Sequence, residues 1–297
     1  MDKGPSRRPR LFALAFTLGL LSPASTVCAA GPGTSAATFL QLGYGARPIG
    51  LGEAFASVAN DVSALYYNPA GLAYPAAVGP KGGSGPYEIL ASHSLLVQDV
   101  RMTQAGLLRR PFGVSLTYLS LGGIEKRSAE TAEPEGTAGA SDLALGVSYA
   151  RKVGAVGAVG VTGRYIRESI AGYSASAYAL DLGFLRRLES RPVSLGLSVA
   201  NLGTGIRFID QTYPLPAVLR AGVTYGLSRS FPHALTLQLD KPRDSGLIAR
   251  FGLEYLGFGP IALRAGYRTY GKDQRAAALG TALGTTASGL SEFYGMF

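Results

Sequence analysis

Few of the 297 residues could do covalent chemistry. The only histidines are His93 and His233, and the single cysteine is Cys28. Ser92 and Ser94 flank His93, but neighbours in a strand point to opposite faces, so neither is placed to pair with it as a nucleophile. Two scattered histidines offer no metal-ligand set, and no residue pattern asks for a cofactor. The chemistry that remains is electrostatic. Arg220-Ala-Gly222-Val-Thr-Tyr225 recurs as Arg250-Phe-Gly252-Leu-Glu-Tyr255, and in weaker form as Arg264-Ala-Gly266-Tyr-Arg268. In an extended chain the Arg and Gly of each copy share one face and the aromatic takes the other. Together with Arg164, these arginines could line an interior and hold an anionic head group such as a carboxylate. They could equally pair with Asp142, Asp181 and Glu254, or with Glu53 and Asp61 upstream. Pairing is the plainer expectation, because a buried arginine normally has a partner.

The elements that must position these residues are strands. From Phe112 to Tyr267, large apolar residues recur at every second position, with small or polar ones between. Leu143, Leu145, Val147 and Tyr149 alternate with Asp142, Ala144, Gly146 and Ser148; Leu219 to Tyr225 and Phe251 to Tyr255 repeat the pattern. Each segment therefore has one greasy and one wet or narrow wall. Strands are expected near 87–93, 101–109, 111–121, 141–151, 156–168, 173–187, 192–201, 216–228, 233–240, 246–257 and 260–270, with a last one within 288–297. Gly122 to Ala140, with Glu125, Glu130, Glu133 and Glu135, reads as a long acidic loop. Successive alternating segments of ~10 residues point to an all-β transmembrane antiparallel barrel of 12–14 strands. A soluble β-sandwich would carry more Lys and Glu on its outer faces, and the charged fraction is only 16%. Inward glycines (Gly146, Gly183, Gly196, Gly222, Gly252, Gly266) would make room for a plug or ease sheet curvature. Gly154 to Gly160 lacks the strand–turn–helix setting of a phosphate cradle.

Residues 1–30 read as a cleavable export signal. Lys3, Arg7, Arg8 and Arg10 precede an apolar run from Leu11 to Leu21, and Cys28-Ala29-Ala30 forms the cleavage site. That run is shorter than the roughly 20 residues a bilayer span needs. Cleavage would remove the only cysteine, and with it any disulfide or thiolate chemistry. The formal charge of +9 loses the leader's four basic residues and Asp2, leaving +6. No basic run beyond the leader suggests a nucleic-acid face.

Residues 31–86 are rich in Ala and Gly and hold the helical stretches. Leu51, Ala54, Phe55 and Val58 fall at helical spacing, Asp61 can cap a turn, and Asn68-Pro69-Ala70-Gly71 reads as N-cap, Pro at N1 and a short stopped helix. A segment of ~50 residues cannot build a core alone, so its expected home is the lumen of a barrel formed by 87–297.

The stretch from Gly33 through Phe39, Gly43, Gly45, Arg47-Pro-Ile-Gly50-Leu-Gly52-Glu53 and Asn60-Asp61 to Tyr66-Tyr67-Asn68-Pro69-Ala70-Gly71-Leu72 resembles the N-terminal signature of the PorV/PorQ family of outer-membrane barrels. Asn201-Leu-Gly203 through Ile206-Arg-Phe208 to Leu215-Pro216 and Arg220-Ala-Gly222 resembles that family's mid-barrel stretch. The family is similar to the FadL long-chain fatty-acid transporters, which share the Asn-Pro-Ala element. The resemblance implies an N-terminal hatch, a 14-stranded barrel, an outer-membrane address and a part in handling secreted cargo in type IX secretion. The FadL likeness implies uptake of hydrophobic small molecules instead. Outer-membrane lipid and the barrel-insertion machinery are the implied partners. The chain departs from the family pattern after Arg268, where Gly271 to Thr286 is Ala/Gly-rich, so its last strands are expected to be incomplete. A barrel enzyme is the weakest alternative, for want of a Ser–His pair.

Overall fold

The computed structural model describes residues 34–74, 87–96, 99–126, 136–188, 190–227, 233–258, 261–269, 278–285 and 293–295. Residues 1–30 and the acidic stretch 127–135 lie outside the described residues.

The chain is all-β apart from its N-terminal segment. That segment holds a 3-10 turn at Thr38–Gln41, helix α1 (Ala46–Gly50), helix α2 (Ala64–Tyr67) and a second 3-10 turn at Pro69–Ala73. Thirteen strands then form one sheet in which each new strand pairs antiparallel with the one before. They are β1 (Glu88–Leu95), β2 (Arg101–Arg109), β3 (Phe112–Lys126), β4 (Gly136–Val153), β5 (Gly157–Ile170), β6 (Tyr173–Leu188), β7 (Val193–Gly203), β10 (Val218–Gly226), β11 (His233–Pro242), β12 (Ile248–Phe258), β13 (Ile261–Arg268), β14 (Ala278–Thr285) and β15 (Phe293–Gly295). Between β7 and β10 a separate hairpin is formed by β8 (Ile206–Phe208) and β9 (Gln211–Tyr213). Among the described residues no ladder joins β1 to β14 or β15.

The two faces of the sheet have inverted polarity. Val147 is 65% exposed, and Leu219, Val223, Leu253 and Tyr255 share its face. Their neighbours Ser148, Arg220, Thr224 and Glu254 are buried. In a sandwich the apolar face would be the covered one. Here the covered face is the polar one, and what covers it is the N-terminal segment. Wall glycines show this directly, because they lie against that segment all along the sheet. Gly106 of β2 faces Tyr44 and Val62, Gly113 of β3 faces Leu65, and Gly160 of β5 meets Pro69 and Ala70. Gly183 of β6 meets Asn68, Gly196 of β7 meets Ala56, Gly222 of β10 faces Ser57, and Gly252 and Gly266 of β12 and β13 meet Leu51 and Gly52. A segment of some forty residues can touch these eight strands on one face only if the sheet curls around it. Its ends converge on α1: Gly45 at the helix start lies beside Leu90 of β1, and the helix itself packs along β13 and β14. The segment is a hatch inside a curled wall.

Several expectations need correction. The helix read over Leu51–Ala59 does not form; the helix precedes it, at Ala46–Gly50. Gly52 and Glu53 both take left-handed backbone, at φ 61 and 62, and two such residues in succession break a right-handed helix. Leu51, Phe55 and Val58 instead join an apolar cluster centred on the hatch itself, with Phe55 edge-on to Tyr67, and Leu51 also lies against β12 and β13. The expected loop from Gly122 to Ala140 is narrower, since β3 runs on to Lys126 and β4 starts at Gly136. Gly271–Thr286 holds β14, which pairs with β13 along its whole length. Gly146 lies beside Ser115 and Thr162 of the adjacent strands, not beside the hatch.

Candidate functional site

The candidate site is the seam between hatch and wall, where wall side chains satisfy hatch backbone groups that its own turns leave open. Asn68 shows how. As N-cap of the Pro69–Ala73 turn, its side chain accepts from Ala70 N at 3.1 Å. Its Nδ2 donates to Ala56 O within the hatch (2.7 Å) and to Phe184 O of β6 (3.0 Å). One fully buried amide thus caps a turn, ties two hatch segments and pins both to the wall. Wall side chains do the rest: Gln238 Oε1 accepts from Ala56 N (2.8 Å), Ser194 Oγ donates to Ser57 O (2.7 Å), Ser198 Oγ donates to Tyr67 O (2.8 Å), and Gln104 Nε2 donates to Gly43 O (2.8 Å). Unpaired buried backbone groups are costly, so this pattern fixes the hatch's position and orientation. Asn68→Ala is expected to destabilise the fold by about 2–4 kcal/mol, from a lost cap and two lost buried bonds. Urea unfolding of the chain in detergent or lipid checks it. Asn68→Asp should be worse, since it turns the donor into an acceptor facing two carbonyls.

Apart from the Arg110–Glu88 pair, charge pairing around the hatch forms three groups among the described residues. In the first, Arg47 of α1 makes a two-pronged bond to Glu254 of β12, Nε to Oε1 at 2.9 Å and Nη2 to Oε2 at 2.8 Å. Its Nη1 donates to Asp61 and Asn60, each at 2.7 Å, and Arg264 of β13 completes the group by donating to Glu254 at 2.8 Å. Burial alone would weaken the Arg47 charge, but Glu254 and Asp61 outweigh it and hold the guanidinium more firmly protonated than usual. In the second group, Glu53 of the hatch is paired with Arg250 of β12 and, at 3.5 Å, with Arg268. Arg250 also donates to Asp240 of β11 at 2.6 Å and to Gly52 O at 3.0 Å. Burial pushes the Glu53 carboxyl up, yet Arg250, Arg268 and Arg220 pull it below the usual range. These bonds also hold Glu53 in its left-handed backbone, which otherwise costs about 1–2 kcal/mol. The third group is Arg164 of β5 with Asp181 of β6 at 2.6 Å; Asp181 also accepts from Asn201 N at 2.7 Å.

The structure therefore brings together most of the expected site residues. Arg47, Glu53 and Asp61 pair as hatch groups, Arg164, Asp181, Arg250, Glu254, Arg264 and Arg268 as wall groups. Asn68, Pro69 and Ala70 dock on β5 and β6, Gly71 lies against Ala59, Gly50 ends α1 in a buried position, and Gly52 abuts β13. Two residues differ. Asp142 lies on the inner face of β4 but ion-pairs with none of the arginines; its cross-strand neighbour is Glu168, which instead accepts from Ala37 N at 2.9 Å. Arg220 is 7% exposed and, among the described residues, has no carboxylate partner. Its guanidinium carbon stands 5.8 Å from the ring centroids of Tyr66 and Tyr67. Burial pushes the Tyr66 phenol up to about 12, so that phenol stays neutral beside it.

Sequence reasoning missed Asp240, Gln238, Gln104 and Asn201 as partners. Alternation was enough to find the first two, since Ala234, Thr236, Gln238 and Asp240 share the inward face of β11.

No curated protein matches the chain significantly. The family described as "Type IX secretion system protein PorV" matches residues 31–189, more than half the chain, covering the hatch and the wall through β6. A hatch held by the Asn68 cap and the Arg47 and Glu53 bridges, inside a wall of alternating strands, is the part that this match spans together with its first six strands. The chain belongs to the PorV family of type IX secretion system proteins.

Proposed function

We infer that this protein is a non-enzymatic outer-membrane barrel that acts in type IX secretion by engaging secreted cargo proteins at one of its ends, after export under a cleaved leader. The family match supports the secretion role. The observation that carries the membrane reading is the inverted sheet, with apolar side chains outward and a polar, hatch-filled interior. Such a face suits acyl chains, and the polar lining suits a plugged lumen.

The two ends of the wall differ. At one, the connections between strands are short, from the two residues between β2 and β3 to the seven between β14 and β15. At the other lie the stretch between β3 and β4 and the fourteen-residue connection that carries β8 and β9. Barrels of this kind carry short turns on the periplasmic side and longer loops outside, which orients the β8–β9 end outward as the cargo-facing end.

Fractionation of the source cells tests the address, and pull-down from them tests the role. The protein should be found in outer membranes, migrate differently with and without heating, and co-purify with exported proteins. Deleting it should leave those proteins inside the cell. Recovery as a soluble periplasmic monomer, or an unchanged set of exported proteins after deletion, overturns the reading. Uptake of hydrophobic small molecules has less support, because six charged side chains (Glu53, Arg220, Asp240, Asp244, Arg250 and Arg268) share the lining of the cavity between hatch and wall with its apolar residues.

A further inference from the structure

Between hatch and wall, at the β8–β9 end, lies a cavity of about 230 Å³. The hatch contributes Gln41, Tyr66 and Tyr67, and the wall contributes Asn201, Arg220 and Asp244 among others. A single water needs only some 10–15 Å³ of such space, so the volume is that of a small organic group. Within it Arg220 is anomalous. It is more than nine-tenths buried, its Nη1 is sealed from solvent with no acceptor, and among the described residues no nitrogen of its guanidinium makes a hydrogen bond. Its cross-strand neighbour Asp240 is already taken, by Arg250 at 2.6 Å and Gln238 at 2.7 Å. Glu53 is held by Arg250 and Arg268. Among the described residues Asp244 accepts only from Gln41, at 3.4 Å.

We propose that Arg220 is the anchor of a carboxylate-binding site in this cavity, taking the carboxylate of a small molecule or the carboxyl end of a polypeptide. A guanidinium presents its donors in a planar fork that matches a carboxylate, and burying such a group with its donors empty is costly unless something fills them. The neighbouring Glu53, Asp240 and Asp244 repel a second negative charge, so a singly charged group fits better than a phosphate. Tyr66 and Tyr67 offer apolar surface for the atoms behind it. The site does not depend on the secretion role; it would stand if that role failed.

Titration calorimetry on the full-length folded protein in detergent micelles tests it, with three probes: acetate, N-acetyl-trialanine with a free carboxyl, and the same peptide amidated. Chloride at equal ionic strength is the background throughout. The free-carboxyl peptide should bind at least tenfold more tightly than the amide, and Arg220→Gln should weaken it at least tenfold, with Arg220→Lys between the two. Acetate binding alongside the peptide acid supports a free small carboxylate as occupant. Binding of the peptide acid without acetate supports a polypeptide end. Equal binding of acid and amide, no detectable binding of any probe, or unchanged binding by Arg220→Gln overturns the proposal. Should Arg220→Gln fail to fold, the acid-against-amide comparison on the unaltered chain decides.

Discussion

Arg250→Met is expected to destabilise the folded protein by about 3–5 kcal/mol, the usual range when one member of a buried ionic group is removed. Among the described residues Arg250 is the one side chain that ion-pairs with both Glu53 of the hatch and Asp240 of the wall, and all three side chains are largely buried. Removing it leaves two carboxylates facing each other in the interior, with Gln238 as the remaining donor to Asp240 and Arg268, at 3.5 Å, as the remaining partner of Glu53. It also frees the strained backbone at Glu53, so the hatch should loosen at the Leu51–Ala54 stretch before the wall unfolds. Urea midpoints in lipid vesicles measure the global loss, and hydrogen exchange at Gly52 to Ala54 measures the local one. Adding Glu53→Gln to Arg250→Met should recover part of the loss, because it removes one of the two stranded charges. A loss below about 1 kcal/mol would mean the group is screened by water and does not hold the hatch. The same group sets the response to acid. Glu53 titrates lower when folded than when unfolded, so its stabilising share is full above the ordinary carboxylate range. It is lost as the pH falls through the folded value.

Gly160→Ala should act more locally and more severely. A methyl group on Gly160 would overlap the carbonyl carbon of Pro69 and the nitrogen of Ala70, both backbone atoms of the Asn68-capped turn. Neither can move without breaking the cap and the bond from Asn68 to Phe184 O. The hatch must be displaced from β5 and β6, or the wall must bulge. Overpacking of this kind costs about 1–3 kcal/mol in forgiving cores, and a rigid backbone neighbour puts this site at or above the upper end. Gly163 of the same strand faces outward, and a Cβ added there would have nothing within 4 Å, so Gly163→Ala is the matched control and should be neutral. Protease cutting of the hatch in intact membranes separates the cases. Gly160→Ala should expose it, and Gly163→Ala should leave it protected. Equal protection of both variants would show that the hatch does not press on β5.

Two kinds of information are separable in this chain. The alternation of Leu143 to Tyr149, Leu219 to Tyr225 and Phe251 to Tyr255 is local, and local sterics send neighbouring side chains to opposite faces. It was therefore enough to assign the strands, the exposed apolar wall and the inward arginines. Asn68-Pro69 was legible for the same reason, since a cap and a proline at N1 act within four residues. The helix expected over Leu51–Ala59 does not form, because Leu51, Phe55 and Val58 answer to the hatch-centred apolar cluster while Gly52 and Glu53 take a backbone no helix allows. The ionic partners could be confined by face parity but not matched. Arg250 with Glu53 and Arg47 with Glu254 are about two hundred positions apart, and only the curl of the sheet around the hatch sets them side by side. Arg220 shows the limit most sharply. Its sequence copy, Arg250, lines the same cavity but is paired with Glu53 and Asp240, while Arg220 has no carboxylate partner among the described residues, a difference fixed by where the hatch backbone passes and by nothing in the repeat itself.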